Sequence, residues 1–126
     1  MQSIRTEDAP KAIGPYSQAI AFKDLLFISG QIGINPKTAS IDGTTIEGQT
    51  RQVMNNIQAI LSAAGSNLTK VLKCTVFLSD MQDFATFNNI YGEYFPQTPP
   101  VRTTVQAARL PRDAKVEVDV IACRDE

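Results

Sequence analysis

Arg102 opens a Thr-rich apolar segment, and fifteen residues later Glu117 interrupts a run of valines. The segments read Pro99-Pro100-Val101-Arg102-Thr103-Thr104-Val105 and Lys115-Val116-Glu117-Val118-Asp119-Val120. A guanidinium fork matches a carboxylate through two parallel hydrogen bonds, and a nearby glutamate can take or give a proton or hold a water. Both segments alternate β-branched and polar residues, which predicts strands. In a strand Arg102, Thr104 and Gln106 share one face, and Val116, Val118 and Val120 oppose Glu117 and Asp119. The valines are the natural core face, so the opposite faces carry a fork and two carboxylates. A solvated charged sheet face is the competing reading, and the pattern alone leaves it open.

The sequence has no histidine, so no Ser-His-Asp or Cys-His relay and no histidine metal site can form within it. The two cysteines, Cys74 and Cys123, are far apart and outside any C-x-x-C pair, so no typical structural zinc site and no metal is expected. Cys74, in the apolar run Val71-Leu72-Lys73-Cys74-Thr75-Val76, reads as a small buried hydrophobe. Chemistry must therefore come from Arg, Glu, Asp, Tyr, Asn, Ser, Thr and the backbone.

At 126 residues the chain reads as one domain, 1–126, with room for a single core. Its 43% hydrophobic and 20% charged residues are an ordinary globular balance. A net charge of −1 without a run of Lys or Arg gives a nucleic-acid partner no support. No apolar stretch approaches the roughly 18–20 residues of a membrane span. The amino terminus is polar and acidic, unlike a signal peptide, so a cytoplasmic location is expected.

Local pattern supplies the framework for these residues. Ser3 to Thr6 reads as a short edge strand. Tyr16 to Phe22 and Leu25 to Ser29 read as a hairpin across Lys23-Asp24, and Asn35 to Thr38 as a turn. Thr44 and Glu47 have capping-box spacing, Gly65 is a natural terminator, and the stripe Val53, Met54, Ile57, Ile60, Leu61 predicts a helix between them. Lys70 to Ser79 reads as a central strand. Ser79 and Gln82 offer a second capping box for a helix with the stripe Phe84, Phe87, Tyr91, Tyr94 and Phe95, stopped by Pro96. The order β-β-β-α-β-α-β-β predicts an α+β fold, with about six strands and two helices on one face. The helix-free face is expected to carry Arg102, Thr104, Gln106, Glu117 and Asp119 beside apolar neighbours such as Ile121. A face mixed in that way predicts an oligomer interface.

Four segments carry a resemblance to a known family: Ala12 to Ala19, Ser29 to Ile32, Asp83 to Asn88, and Pro100 to Val105 continuing through Arg109-Leu110-Pro111 to Val118. In this order and spacing the chain resembles the RidA (YjgF-type) family of reactive-intermediate deaminases over essentially its whole length. The resemblance implies a chorismate-mutase-like homotrimer with three intersubunit clefts, each taking a small 2-imino or 2-keto acid. It implies hydrolysis of 2-iminobutanoate and 2-iminopropanoate to the 2-keto acid and ammonia, with no cofactor.

By that resemblance Arg102 clamps the substrate carboxylate and Glu117 positions water. Tyr16 lies over the cleft, Asn88 contacts or orders the site, and Ser29, Gly30 and Thr104 line it. Many relatives have cysteine where this chain has Thr104, which implies a backbone or hydroxyl contact without a covalent intermediate. If the last two strands formed a tight hairpin, Arg102 would fall opposite a residue well beyond Glu117, so their convergence rests on the resemblance. Two other functions compete: a non-catalytic trimer that binds small carboxylic acids, and a ribonuclease or translation inhibitor.

Overall fold

The computed structural model describes residues 1–125. Its strands are β1 (Gln2–Ile4), β2 (Ala19–Phe22), β3 (Leu25–Gln31), β4 (Ile34–Asn35), β5 (Ser40–Ile41), β6 (Val71–Leu78), β7 (Val101–Gln106) and β8 (Val116–Cys123). The helices are α1 (Ile46–Ala63) and α2 (Phe84–Tyr94). Six strands form one sheet in the order β1-β2-β3-β8-β6-β7, while β4 and β5 pair as a separate ribbon around the expected Asn35–Thr38 turn. The predicted element order is therefore present, with that ribbon added.

Local chemistry sets the boundaries. Lys23 adopts φ 55° in the two-residue β2–β3 turn. The α1 cap is Thr45, one residue beyond the expected Thr44: its Oγ1 accepts from the Gly48 N–H at 3.0 Å. At the other end Gly65 takes φ 76°, and the Ser66 N–H closes on the Leu61 carbonyl at 2.9 Å. That is the glycine-terminated C-cap expected from the sequence. The second capping box also shifts by one. Asp80, and not Ser79, accepts from the Gln82 N–H at 2.9 Å and opens a 3₁₀ turn that leads into α2. A short aspartate reaches that N–H without the chain leaving β6 early.

Both helices cover one face of the sheet. Val53, Met54, Ile57, Ile60 and Leu61 of α1 and Phe87 and Tyr91 of α2 bury against Leu26, Val76, Leu78 and the β8 valines. Each such Val, Leu, Ile or Phe contributes about 1.5–3 kcal/mol by leaving water. The β8 alternation behaves as its sequence predicts, with Val116, Val118 and Val120 buried and Glu117 and Asp119 half-buried on the other face.

The β7 face is the main correction. β7 runs parallel to β6 and pairs Cys74 with Arg102 and Val76 with Thr104, while β8 borders β6 on its other side, antiparallel. Cys74 also pairs with Val120, and Phe77 with Glu117. Side chains in register share a face, so Arg102, Thr104 and Gln106 lie on the helix side of the sheet. Glu117 and Asp119 lie on the open side, where β7 contributes Val101, Thr103 and Val105. The open face is mixed, as expected, with Val101 67% and Phe27 43% exposed. The five polar residues are nevertheless divided between two faces.

Candidate active site

A cavity of about 370 Å³ opens beside β3 and β8, and Tyr16, Gln18, Ser29, Gly30 and Glu117 line it. Its floor is built by a β-bulge. Ile28 pairs with Val120 and Gln31 with Val118, so Ser29 and Gly30 together oppose Asp119. Two residues against one bend the strand and re-aim its last side chains, as bulges beside functional sites do. The Ser29 hydroxyl donates to the Ser17 carbonyl at 2.6 Å, and its N–H to the Gln18 carbonyl at 3.0 Å. Gly30 then passes directly beneath Glu117: a Cβ on Gly30 would lie 2.8 Å from Glu117 Oε2 and 2.9 Å from its Cδ. Glycine here leaves the space that the Glu117 carboxylate occupies.

Burial, and then the charge of Asp119, hold the Glu117 carboxyl above the ordinary carboxylate range. A carboxylate tuned upward accepts a proton more readily near neutrality, which suits a general base. Tyr16 lies in the loop before β2, which begins at Ala19, later than the sequence pattern predicts. Its hydroxyl accepts from the Ile13 N–H at 3.2 Å, and half of the side chain stays exposed at the cavity.

One residue here was missed in the sequence. Gln18 is 5% exposed; its Oε1 accepts from the Thr6 N–H at 2.8 Å and its Nε2 donates to the Pro10 and Thr6 carbonyls at 2.8 and 3.0 Å. It clasps the loop that carries Tyr16. The available signal was a glutamine inside the Tyr16-Ser17-Gln18-Ala19 motif, at a strand entry where a polar side chain must find backbone partners.

The second cluster lies across the sheet. The Arg102 guanidinium stands over the rings of Tyr91 at 4.9 Å and Phe84 and Phe87 at 5.7 Å. Among the described residues no carboxylate pairs with it. Asn88 Oδ1, Thr104 Oγ1 and the Tyr91 hydroxyl are buried in this cluster without a hydrogen-bond partner. Free fork donors together with the unsatisfied Asn88 and Thr104 oxygens mark this as a candidate polar site. Within one subunit, then, Tyr16, Ser29, Gly30 and Glu117 come together, and Arg102, Asn88 and Thr104 come together, but the two groups do not meet.

A family model described as endoribonuclease L-PSP matches residues 6–124 and so spans both clusters. A RutC family protein of Pyrococcus horikoshii is 53% identical over 122 residues, covering 97% of each chain. The chain belongs to the YjgF/RidA family. The chloroplastic Reactive Intermediate Deaminase A of Arabidopsis thaliana is 46% identical over 94% of this chain and 64% of its own length. Among solved structures, Escherichia coli TdcF with bound serine superposes with a TM-score of 0.95 at 41% identity, covering 99% of this chain and 100% of that one. This YjgF/RidA chain thus shares its sheet-and-two-helix fold with relatives along its full length. Among its described residues no helix is long and apolar enough to cross a membrane.

Proposed function

We propose that the protein is a cytoplasmic homotrimer that hydrolyses reactive 2-imino acids, 2-iminobutanoate and 2-iminopropanoate, to 2-keto acids and ammonia. The observation that carries this reading is the division of the site: an arginine with free donors on one face, and an upshifted glutamate over a glycine in a cavity on the other. Neither half is a complete site. A rotational assembly through the open sheet face would bring the Arg102 cluster of one subunit to the Glu117 cavity of the next. Burying Val101, Val105, Phe27 and Ile121 would drive it.

In the joined cleft Arg102 holds the carboxylate bidentately, with Thr104 and Asn88 beside it. Tyr16, Ser29 and Gly30 enclose the carbon chain. Glu117 accepts a proton from water as its oxygen bonds to C2 of the protonated imine. It returns that proton to nitrogen; the C–N bond then breaks, ammonia leaves with its electron pair, and Glu117 takes the remaining hydroxyl proton as the C2 carbonyl forms, passing it on to ammonia or solvent. The imine is already electrophilic, so orientation and one proton relay suffice. No cofactor enters this route.

A ribonuclease reading draws on the family description alone; a net charge of −1 and the lack of histidine argue against it. The test is a coupled assay in which a threonine dehydratase generates 2-iminobutanoate and its disappearance is followed. Faster loss with this protein supports the reading, and an unchanged rate overturns it.

A further inference from the structure

An arginine at the end of a flexible side chain loses much of its value as a clamp unless something fixes it. Structural arginines are usually fixed by an acid, which occupies two of the five N–H donors and offsets the charge. Arg102 has no such partner among the described residues. Its fixed neighbours are aromatic faces, and the nearest is Tyr91 at 4.9 Å. That ring cannot swing away. It is 5% exposed and sits between Phe87, with centroids 5.3 Å apart, and Phe95, at 4.8 Å. The strand position of Arg102 is set equally firmly by pairing with the fully buried Cys74.

We propose that Tyr91 is a positioning residue of the site, its ring acting as the platform that aims the Arg102 guanidinium while leaving every N–H of the fork free for a ligand carboxylate. The ring's negative face attracts the cation, and its plane fixes the tilt of the fork. The hydroxyl plays no part in this. It is buried beside the Cys74 thiol and away from the ring face, and burial together with that thiol pushes the phenol upward, so it stays neutral. Phenylalanine should therefore serve as well, whereas an aliphatic residue should not. The ligand side of this inference rests on the proposed imino-acid site; the platform itself does not.

The test separates the two. The Arg102 Nε–H resonance reports the ring current directly, and calorimetric titration with 2-ketobutyrate reports the clamp. In Tyr91→Phe both should match wild type. In Tyr91→Leu the resonance should move toward its ordinary position, with the residual shift due to Phe84 and Phe87, and affinity should fall about tenfold. Because Tyr91→Leu opens space in the core, a fluorinated phenylalanine series at position 91 is run beside it. Fluorination keeps the shape and drains the ring face, so affinity should drop stepwise with each fluorine. A flat series, or a folded Tyr91→Leu protein with an unmoved resonance, overturns the platform. If the resonance responds as expected while wild type fails to bind 2-ketobutyrate, the platform stands and the imino-acid reading falls.

Discussion

Arg102 and Glu117 stand on opposite faces of one sheet: Arg102 is in register with the buried Cys74, and Glu117 with Phe77 on the open side. Neighbouring positions on a strand point in opposite directions, so no side-chain rotation within a subunit brings the fork to the carboxylate. Chemistry that needs both must combine two subunits. Arg102→Ala and Glu117→Gln homomers should each be inactive, yet regain activity when dissociated, mixed in equal amounts and reassembled. With one arginine donor and one glutamate donor per cleft, about one quarter of the clefts would receive both intact groups. Mixtures that stay inactive, or a mass by light scattering near the 13.8 kDa of one chain, would remove the intersubunit site.

The clamp itself is tested by Arg102→Lys. An ammonium is a point charge and cannot make the paired hydrogen bonds of a fork. Losing a charge-assisted bidentate contact costs about 3–5 kcal/mol, or about two to four decades in affinity or rate. Arg102→Ala should show that loss with melting temperature nearly unchanged, because the side chain has no acid partner to orphan. Arg102→Lys should recover little of it, and near-normal turnover in that variant would rule out the fork.

Gly30→Ala probes the contact beneath the carboxylate. The added Cβ would sit 2.8 Å from Glu117 Oε2 and 2.9 Å from its Cδ, closer than real neighbours approach. The clashing atoms belong to a side chain that can swing, so the fold should survive while the carboxylate is displaced. Turnover should fall by about a hundredfold, the scale of one general-base contribution, with the circular dichroism spectrum unchanged. Full activity in this variant would mean that the position of Glu117 does not matter.

The strand and helix positions were largely legible because they rest on local pattern. The β8 valines repeat with period two, and Gly65 closes α1 where a left-handed residue is needed. The face of β7 was not legible. Val101-Arg102-Thr103-Thr104-Val105 reads equally well in either orientation, and its polar side is expected from sequence to face outward. The deciding contacts are non-local: three rings of α2 receive the guanidinium on the helix side, leaving Val101 67% exposed. Buried amides were equally hidden. Asn56 donates to the Ile32 and Ile34 carbonyls at 3.3 and 2.9 Å, and Gln49 accepts from the Lys115 N–H at 2.8 Å. Their partners are backbone groups brought together only by folding, and nothing in the amides' own sequence neighbourhoods names them. The candidate site residues are named by motif, but their division into two halves needs the register.

Glu117→Gln separates the enzyme from a carboxylate-binding protein, and it carries a pH signature. Glutamine keeps the reach of glutamate but cannot take a proton from water. Turnover should therefore drop by about two decades or more while 2-ketobutyrate still binds, relieved of the repulsion between two carboxylates. In wild type, turnover should fall as pH drops through the raised Glu117 value, since the base must be ionised; the Gln variant should lack that limb. Stability runs the other way. Burial and Asp119 raise the folded pKa, so the folded state binds its proton more tightly than the unfolded chain does. The stability that this group contributes is present below its unfolded value and is lost as pH rises through the folded one. Glu117→Gln should accordingly melt higher than wild type at pH 7, and the advantage should vanish once the pH falls below the ordinary carboxylate range. A Gln variant that melts lower than wild type at neutral pH would overturn this account of the Glu117 carboxyl.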